Sequence, residues 1–225
     1  MKSITNNKLV IFGCSSFSNS IIALCNKIEN IEVVAICVDD EYLLDLPETF
    51  SGLQVVGFNE SLLLHPNASY AIAVGYKCMR TRKLIYDKLI KHNLNIATLI
   101  SPNAHVDAIK IGSGCIIFDG VVIEQGAFIH DNVTIWSNVT ICHDVEVDSH
   151  CFIAANSTLG GFVKVGTLTF IGFSATLIDS VEIGRECIIG ACSLINSNVK
   201  DLSKYFGLPA RHIANIDKNI GVSFP

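Results

Sequence analysis

The sequence predicts two joined folds, a small α/β domain and then a parallel β-helix, and three observations lead to that assignment. The first is a period of six that runs from Ile111 to Lys200 without a slip. Position one of every hexapeptide, from Ile111, Ile117 and Ile123 through to Ile195, is a branched aliphatic, and position five holds only Val, Ala, Cys, Ser or Thr. Gly, Asp and Asn recur between these columns. Six suits neither a helix nor an alternating strand, but it suits short strands joined by tight turns into a triangular coil. Three hexapeptides make one coil, so residues eighteen apart should stack about 4.8 Å apart on neighbouring rungs. The second observation is an alternation of apolar strands and amphipathic helices over residues 1 to about 100. The third is Ser101-Pro102-Asn103-Ala104, a turn where one pattern gives way to the other.

Element by element, Lys8–Gly13 (KLVIFG) reads as a strand ending in glycine, and Phe17–Glu29 as a helix with Ile21, Ile22, Leu24, Cys25 and Ile28 at helical spacing. Ile31–Cys37 is a second buried strand closed by Asp39 and Asp40, and Tyr70–Gly75 a third. Met79–His92 is an amphipathic helix and Asn95–Ile100 a last strand. Strands alternating with helices imply a parallel sheet, hence a Rossmann-like domain at residues 1–100. The β-helix then occupies 101–200. Residues 201–225 form a tail with a turn at Gly207-Leu208-Pro209-Ala210 and at most one short helix.

Composition narrows the partners. Half of the 225 residues are hydrophobic against 16% charged, which suits a compact protein with apolar surface to spare for self-association. A net charge of −5 gives no reason to expect nucleic acid or an anionic membrane as a partner. Met1–Lys8 is polar and Leu9–Phe12 too short for a signal core, so a cytoplasmic location is expected. Of the nine cysteines, Cys115, Cys151 and Cys187 share position five at intervals of two coils. That spacing is too long for a disulfide and suits small buried residues of a reduced protein. No Cys-x-x-Cys pair is present, and no bound metal is expected.

This layout resembles the bacterial nucleotide-amino-sugar N-acetyltransferases of the bacillosamine and perosamine type, which are related to the sialic acid O-acetyltransferases. The likeness covers nearly the whole chain: the strand-Gly-turn opening, Gly75 with Arg80 five residues on, Ser101-Pro102-x-Ala104, the His143-Asp144 pair and Gly-x-Pro-Ala-Arg at 207–211. The resemblance implies a left-handed β-helix, a homotrimer with sites between subunits, and acetyl-CoA as donor to an amine.

Four groups of residues are candidates for that chemistry. His143-Asp144 offers an imidazole that titrates in the useful range beside a carboxylate that can orient it; the resemblance places the catalytic His here, followed by Glu rather than Asp. Gly161 lies eighteen residues on, one rung away, and its N–H is a candidate oxyanion donor, as in the resembling enzymes. Gly13, Ser15 and Ser16 occupy the phosphate-loop position of dinucleotide folds, with serines where glycines are usual, which suits a nucleotide sugar better than a redox cofactor. Asp39 and Asp40 stand where the resembling enzymes contact the nucleotide base, and Gly75 joins this substrate group; ordinary turn capping is the alternative for all of them. Pro209, Ala210 and Arg211 match the tail that lies beside coenzyme A in hexapeptide acyltransferases, where Arg211 would meet a phosphate, or else they close the last coil.

The expected function is therefore acetyl transfer from acetyl-CoA to the amine of a nucleotide-linked 4-amino-4,6-dideoxy sugar, for surface glycan (O-antigen) biosynthesis. The alternatives are a sialic-acid-type O-acetyltransferase and, from another class, a non-catalytic nucleotide-binding scaffold. The zinc carbonic anhydrases that share this β-helix need a three-histidine cluster. Here Asp107 and Asp148 stand at the other two places of that spacing around His143.

Overall fold

The computed structural model describes residues 7–224. Residues 1–6 of the polar amino-terminal stretch, and Pro225, lie outside the described residues. The first domain runs β1 (Lys8–Phe12), α1 (Ser16–Cys25), β2 (Glu32–Val38), a 3₁₀ turn (Asp40–Asp45), β3 (Thr49–Phe50), β4 (Leu53–Gly57), α2 (Phe58–Leu64), β5 (Ser69–Ile72) and α3 (Met79–Lys91). Its sheet has the order β3-β4-β2-β1-β5, parallel except for the short β3–β4 hairpin. Strand β4 and helix α2 were not anticipated; Gln54-Val55-Val56 after Gly52 is the strand signal that was available. The parallel register brings the carboxyl ends of β1, β2 and β5 side by side, with Phe12 opposite Cys37 and Ile72.

The six-residue period is realised as two-residue strands on three parallel sheets. Ile117, Ile135, Ile153 and Ile171 pair in register at intervals of eighteen on the first side. Ile123, Ile141, Leu159 and Leu177 do so on the second, and Ile129, Val147, Val165 and Ile183 on the third. Both columns point inward and are almost wholly inaccessible, forming one continuous core. Position four takes the left-handed conformation in each coil, with φ of 70° at Gly120, 55° at Asn132 and 57° at Asp144, which explains the Gly, Asn and Asp between columns. The result is a left-handed parallel β-helix.

Two boundaries differ from the sequence expectation. The segment expected as one last strand is divided: Ile96 bridges to Tyr70 of the first sheet, whereas Leu99–Ile100 pairs with Ile116–Ile117 of the β-helix. Coiling thus begins before Ile111, with Leu99–Ile100, His105–Val106 and Lys110–Ile111 as its first rung. The tail is a β-hairpin, Ser203–Gly207 with Ala210–Asn215, and the described residues after Lys200 contain no helix. Its first strand extends the first side beyond Ile188–Ile189.

The first side also receives the amino-terminal domain. Phe17 of α1 packs on Phe118, Trp136 and Phe152. The buried Arg82 of α3 crosses the boundary, donating to the carbonyls of Ile72 and Val74 on one side and Asn132 on the other, at 3.1–3.4 Å. Burial without a carboxylate partner lowers its guanidinium to about 10. The cysteines are free thiols; burial pushes Cys115 and Cys151 up to about 12, so they stay protonated and inert.

Candidate active site

His143 sits on the turn between the second and third sides, at the corner facing away from the amino-terminal domain. Its position follows from the period: Thr140–Ile141 ends one short strand, Glu146–Val147 begins the next, and the turn between must project outward. The imidazole is held from three directions. Nδ1 lies 3.0 Å from Asp144 Oδ2. The main-chain N–H of His143 donates to Glu124 Oε2 at 2.9 Å, fixing the turn itself. The Cε1–Nε2 edge lies over Gly161, where a Cβ would stand 2.7 Å from Cε1 and 2.8 Å from Nε2. Only glycine leaves that space. Phe162 closes the far side, its ring 5.0 Å from the imidazole at 86°.

A carboxylate has no proton to give at neutral pH, so Nδ1 of a neutral His143 is the N–H donor. Nε2 is then the basic nitrogen. Both side chains are about half exposed, 47% and 50%, so an incoming molecule can reach them. Asp144, one methylene shorter than the expected Glu, still reaches Nδ1 because its left-handed backbone turns the carboxylate back toward the ring.

Gly161 needs a correction. Its N–H donates to Asp179 Oδ1 at 3.0 Å, so it is not a free oxyanion donor in this arrangement. Ser113 N–H to Asp131 repeats the same eighteen-residue link, which marks it as turn construction. What Gly161 supplies is room for the imidazole. Glu124, Cys142 and Asp179 were not anticipated as neighbours. Cys142 is held un-ionised by burial, reinforced by the charges of Glu124 and Asp179.

The nucleotide candidates gather elsewhere, at the carboxyl edge of the first sheet. Gly13 (φ 126°) is required there, because a Cβ would press to 3.0 Å on the Ala73 backbone. Ser15 caps α1, accepting from Phe17 N–H at 3.3 Å, while Ser18 closes the capping box; Ser16 is exposed at the first helical position. Gly75 opens onto empty space. Asp39 is paired with Lys88, whose ammonium lies 3.9 Å over the Phe58 ring. Asp40 accepts from the Asn59 side chain at 2.8 Å and its N–H at 3.3 Å, at the start of α2. The capping alternative thus describes Ser15 and Asp40 well. Ala210 is buried at the end of the β-helix core, consistent with closure of the last coil, whereas Arg211 is exposed, lies opposite Phe206 in the hairpin and donates from its guanidinium to the Ala210 carbonyl at 3.1 Å. The amino-terminal domain covers the first side of the prism and His143 occupies the opposite corner. One chain therefore keeps the two candidate groups apart.

Among the described residues the one His and carboxylate group compact enough for a metal is His130, Glu146 and Asp148 on the exposed third side, remote in role from His143. No helix is long and apolar enough to cross a membrane.

Comparison with known proteins agrees with both halves. Residues 8–89 match the PglD N-terminal domain family, and residues 126–161 match the bacterial transferase hexapeptide (six repeats) family. No curated protein matches by sequence. Among solved structures, the chain is similar to perosamine N-acetyltransferase PerB of Caulobacter crescentus, solved with CoA and GDP-perosamine, at 26% identity and a TM-score of 0.82, covering 92% of this chain and 97% of that one. The acetyltransferase domain of PglB from Neisseria gonorrhoeae shares the fold at 23% identity and a TM-score of 0.82, covering 92% and 100%. An N-acyltransferase of Bacillus cereus, AntD, shares it over 60% of this chain and 90% of that one, at 18% identity and a TM-score of 0.52. In both halves, a PglD-type amino-terminal domain and a hexapeptide β-helix with an oriented histidine at an open corner, the chain is similar to sugar N-acetyltransferases solved with CoA or acetyl-CoA.

Proposed function

We propose that the protein acetylates the amine of a nucleotide-linked 4-amino-4,6-dideoxy sugar, in the cytoplasm, for surface glycan biosynthesis. The observation that carries this is the His143–Asp144 pair laid over Gly161, with Nε2 left basic at an accessible corner. In the reaction the neutral amine attacks the thioester carbonyl. A C–N bond forms, the C–S bond breaks, and the nitrogen's proton passes to His143 Nε2 and on to the departing CoA sulfur. Asp144 holds the ring and supports its charge meanwhile.

The sugar nucleotide would bind at the carboxyl edge of the first sheet, where Gly13, Ser16, Gly75 and Asp39 converge, with its pyrophosphate at the α1 amino terminus. Since that edge and His143 lie on opposite sides of one chain, the complete site is assigned to two neighbouring copies of a homotrimer. A groove of about 530 Å³ on the third side holds Lys164 and Lys200 among four carboxylates, with Lys164 paired to Glu182 at 3.4 Å, and Arg211 is the candidate for a coenzyme phosphate. The Caulobacter enzyme holds CoA and GDP-perosamine even with one histidine replaced by Asn or Ala, which supports a histidine that acts in chemistry rather than in binding.

The test is a panel of UDP-, dTDP- and GDP-linked amino sugars with acetyl-CoA, read by thiol release and by mass. One acceptor should gain an acetyl group on nitrogen. Thiol release with hydroxyl acceptors alone would move the protein to the O-acetyltransferases, and no release with any acceptor would favour a binding scaffold. Light scattering showing a stable, active monomer would remove the shared site.

A further inference from the structure

Phe162 occupies the position-four column, whose residues from Gly114 to Cys192 take the left-handed backbone. Most are Gly, Asn, Asp or Ser, for which that conformation is tolerable. Two large apolar side chains break the pattern, Phe162 (φ 60°) and Leu168 (φ 59°). Leu168 is 7% exposed and joins the core between the domains, so burial offsets its backbone strain. Phe162 has no such compensation, being 54% exposed. Its ring instead stands edge-to-face against His143, and its N–H donates to the His143 carbonyl at 3.1 Å. It also stacks one rung beyond Asp144, in the same column. Ile178, 42% exposed, follows Gly160 by one rung, so the glycine pair is bordered by apolar side chains on both sides.

We propose that Phe162 is a positioning residue for the transfer reaction. It fixes the imidazole plane that Asp144 grips at Nδ1 and Gly161 admits at Nε2, and it supplies an apolar wall that the bound reactants close over. The backbone conformation is that of the whole column, shared by Glu186 and the exposed Cys192, so what sets Phe162 apart is its exposed ring standing edge-to-face against His143. The inference rests on His143 being the base, and its test separates the two.

Phe162→Asn, Phe162→Tyr and His143→Ala are compared as full-length assemblies with the acceptor found in the panel above. Asn prefers the left-handed conformation, so Phe162→Asn should melt at or above the wild-type temperature. Its kcat should nonetheless fall roughly tenfold or more, with KM for acetyl-CoA little changed, because a misplaced base costs rate rather than affinity. Phe162→Tyr should restore kcat. A readout independent of the acceptor is the rate at which diethyl pyrocarbonate modifies His143, which should rise in Phe162→Asn as its cover is removed. Wild-type kcat and an unchanged modification rate in Phe162→Asn, alongside a crippled His143→Ala, would overturn the role of Phe162 alone. A near-native His143→Ala would instead overturn the base assignment, and this inference with it.

Discussion

His143 and His150 stand seven residues apart in the same coil, on adjacent turns, and have opposite surroundings. His150 is 7% exposed at the corner beside α3. Its Nδ1 accepts from the Asn132 amide at 3.0 Å, and its ring packs on Tyr86. Burial first, and then the charge of Lys83, lowers it to about 4, so it remains neutral and structural. His143, at the open corner, donates from Nδ1 to a carboxylate and keeps Nε2 accessible. The residue type is shared; which corner the turn falls on decides its use. The closed corner joins the domains, and the open one carries the proposed base.

The largest effect on that contrast should come from Arg82→Met. It would leave the buried carbonyls of Ile72, Val74 and Asn132 without a donor and cost about 3 kcal/mol or more. Urea unfolding should show the loss, while turnover per folded molecule is kept. A stability within about 0.5 kcal/mol of wild type would deny the closed corner its joining role.

Gly161→Ala attacks the open corner instead. Its Cβ would displace the imidazole, so turnover should fall on the order of 10²-fold with the melting temperature barely changed. Native turnover in this variant would mean the ring position is unimportant.

The pH dependence of stability sharpens the comparison further. Because His150 titrates lower in the folded chain than its ordinary 6.5, its contribution is complete above about pH 6.5. As pH falls toward 4 the unfolded chain takes a proton that the folded one refuses, and at most about 3 kcal/mol is lost. His150→Asn, which tolerates the left-handed turn, should flatten this part of the melting-temperature profile. Parallel profiles for variant and wild type would count against it.

The smallest effect is expected of Asp39→Ala, which should raise KM for the sugar nucleotide several-fold and leave that for acetyl-CoA alone. Equal changes in both would reduce Asp39 to a partner of Lys88.

The β-helix was legible because its period is a direct imprint of the coil: each Ile at position one reports an inward site, and the Gly and Asn from Gly114 to Asn156 at position four report left-handed turns. The stacking of Gly161 on His143 was legible for the same reason, since spacing by eighteen is spatial adjacency, whereas His143 and Asp144 stood out as neighbours in sequence and through the resemblance. The first domain was read less completely. Strand β4 and helix α2 are short, five and seven residues, and carry little periodicity. The partners of the candidate residues were hidden because they depend on side-chain direction: spacing alone does not say that Asp179 takes the Gly161 N–H, or that Lys88 takes Asp39. Phe162 went unnoticed because an aromatic at position four looks like a lapse in the pattern until its backbone and exposure are seen.

The central claim, that His143 takes the proton from the amine, is tested most directly by turnover against pH for wild type and His143→Ala. Wild-type turnover should rise and level off once His143 is neutral. The variant should bind both substrates nearly as well, turn over roughly 10²–10⁴-fold more slowly, and keep gaining rate with pH as the sugar ammonium loses its proton unaided. A His143→Ala enzyme with near-native turnover at pH 7 would contradict the account.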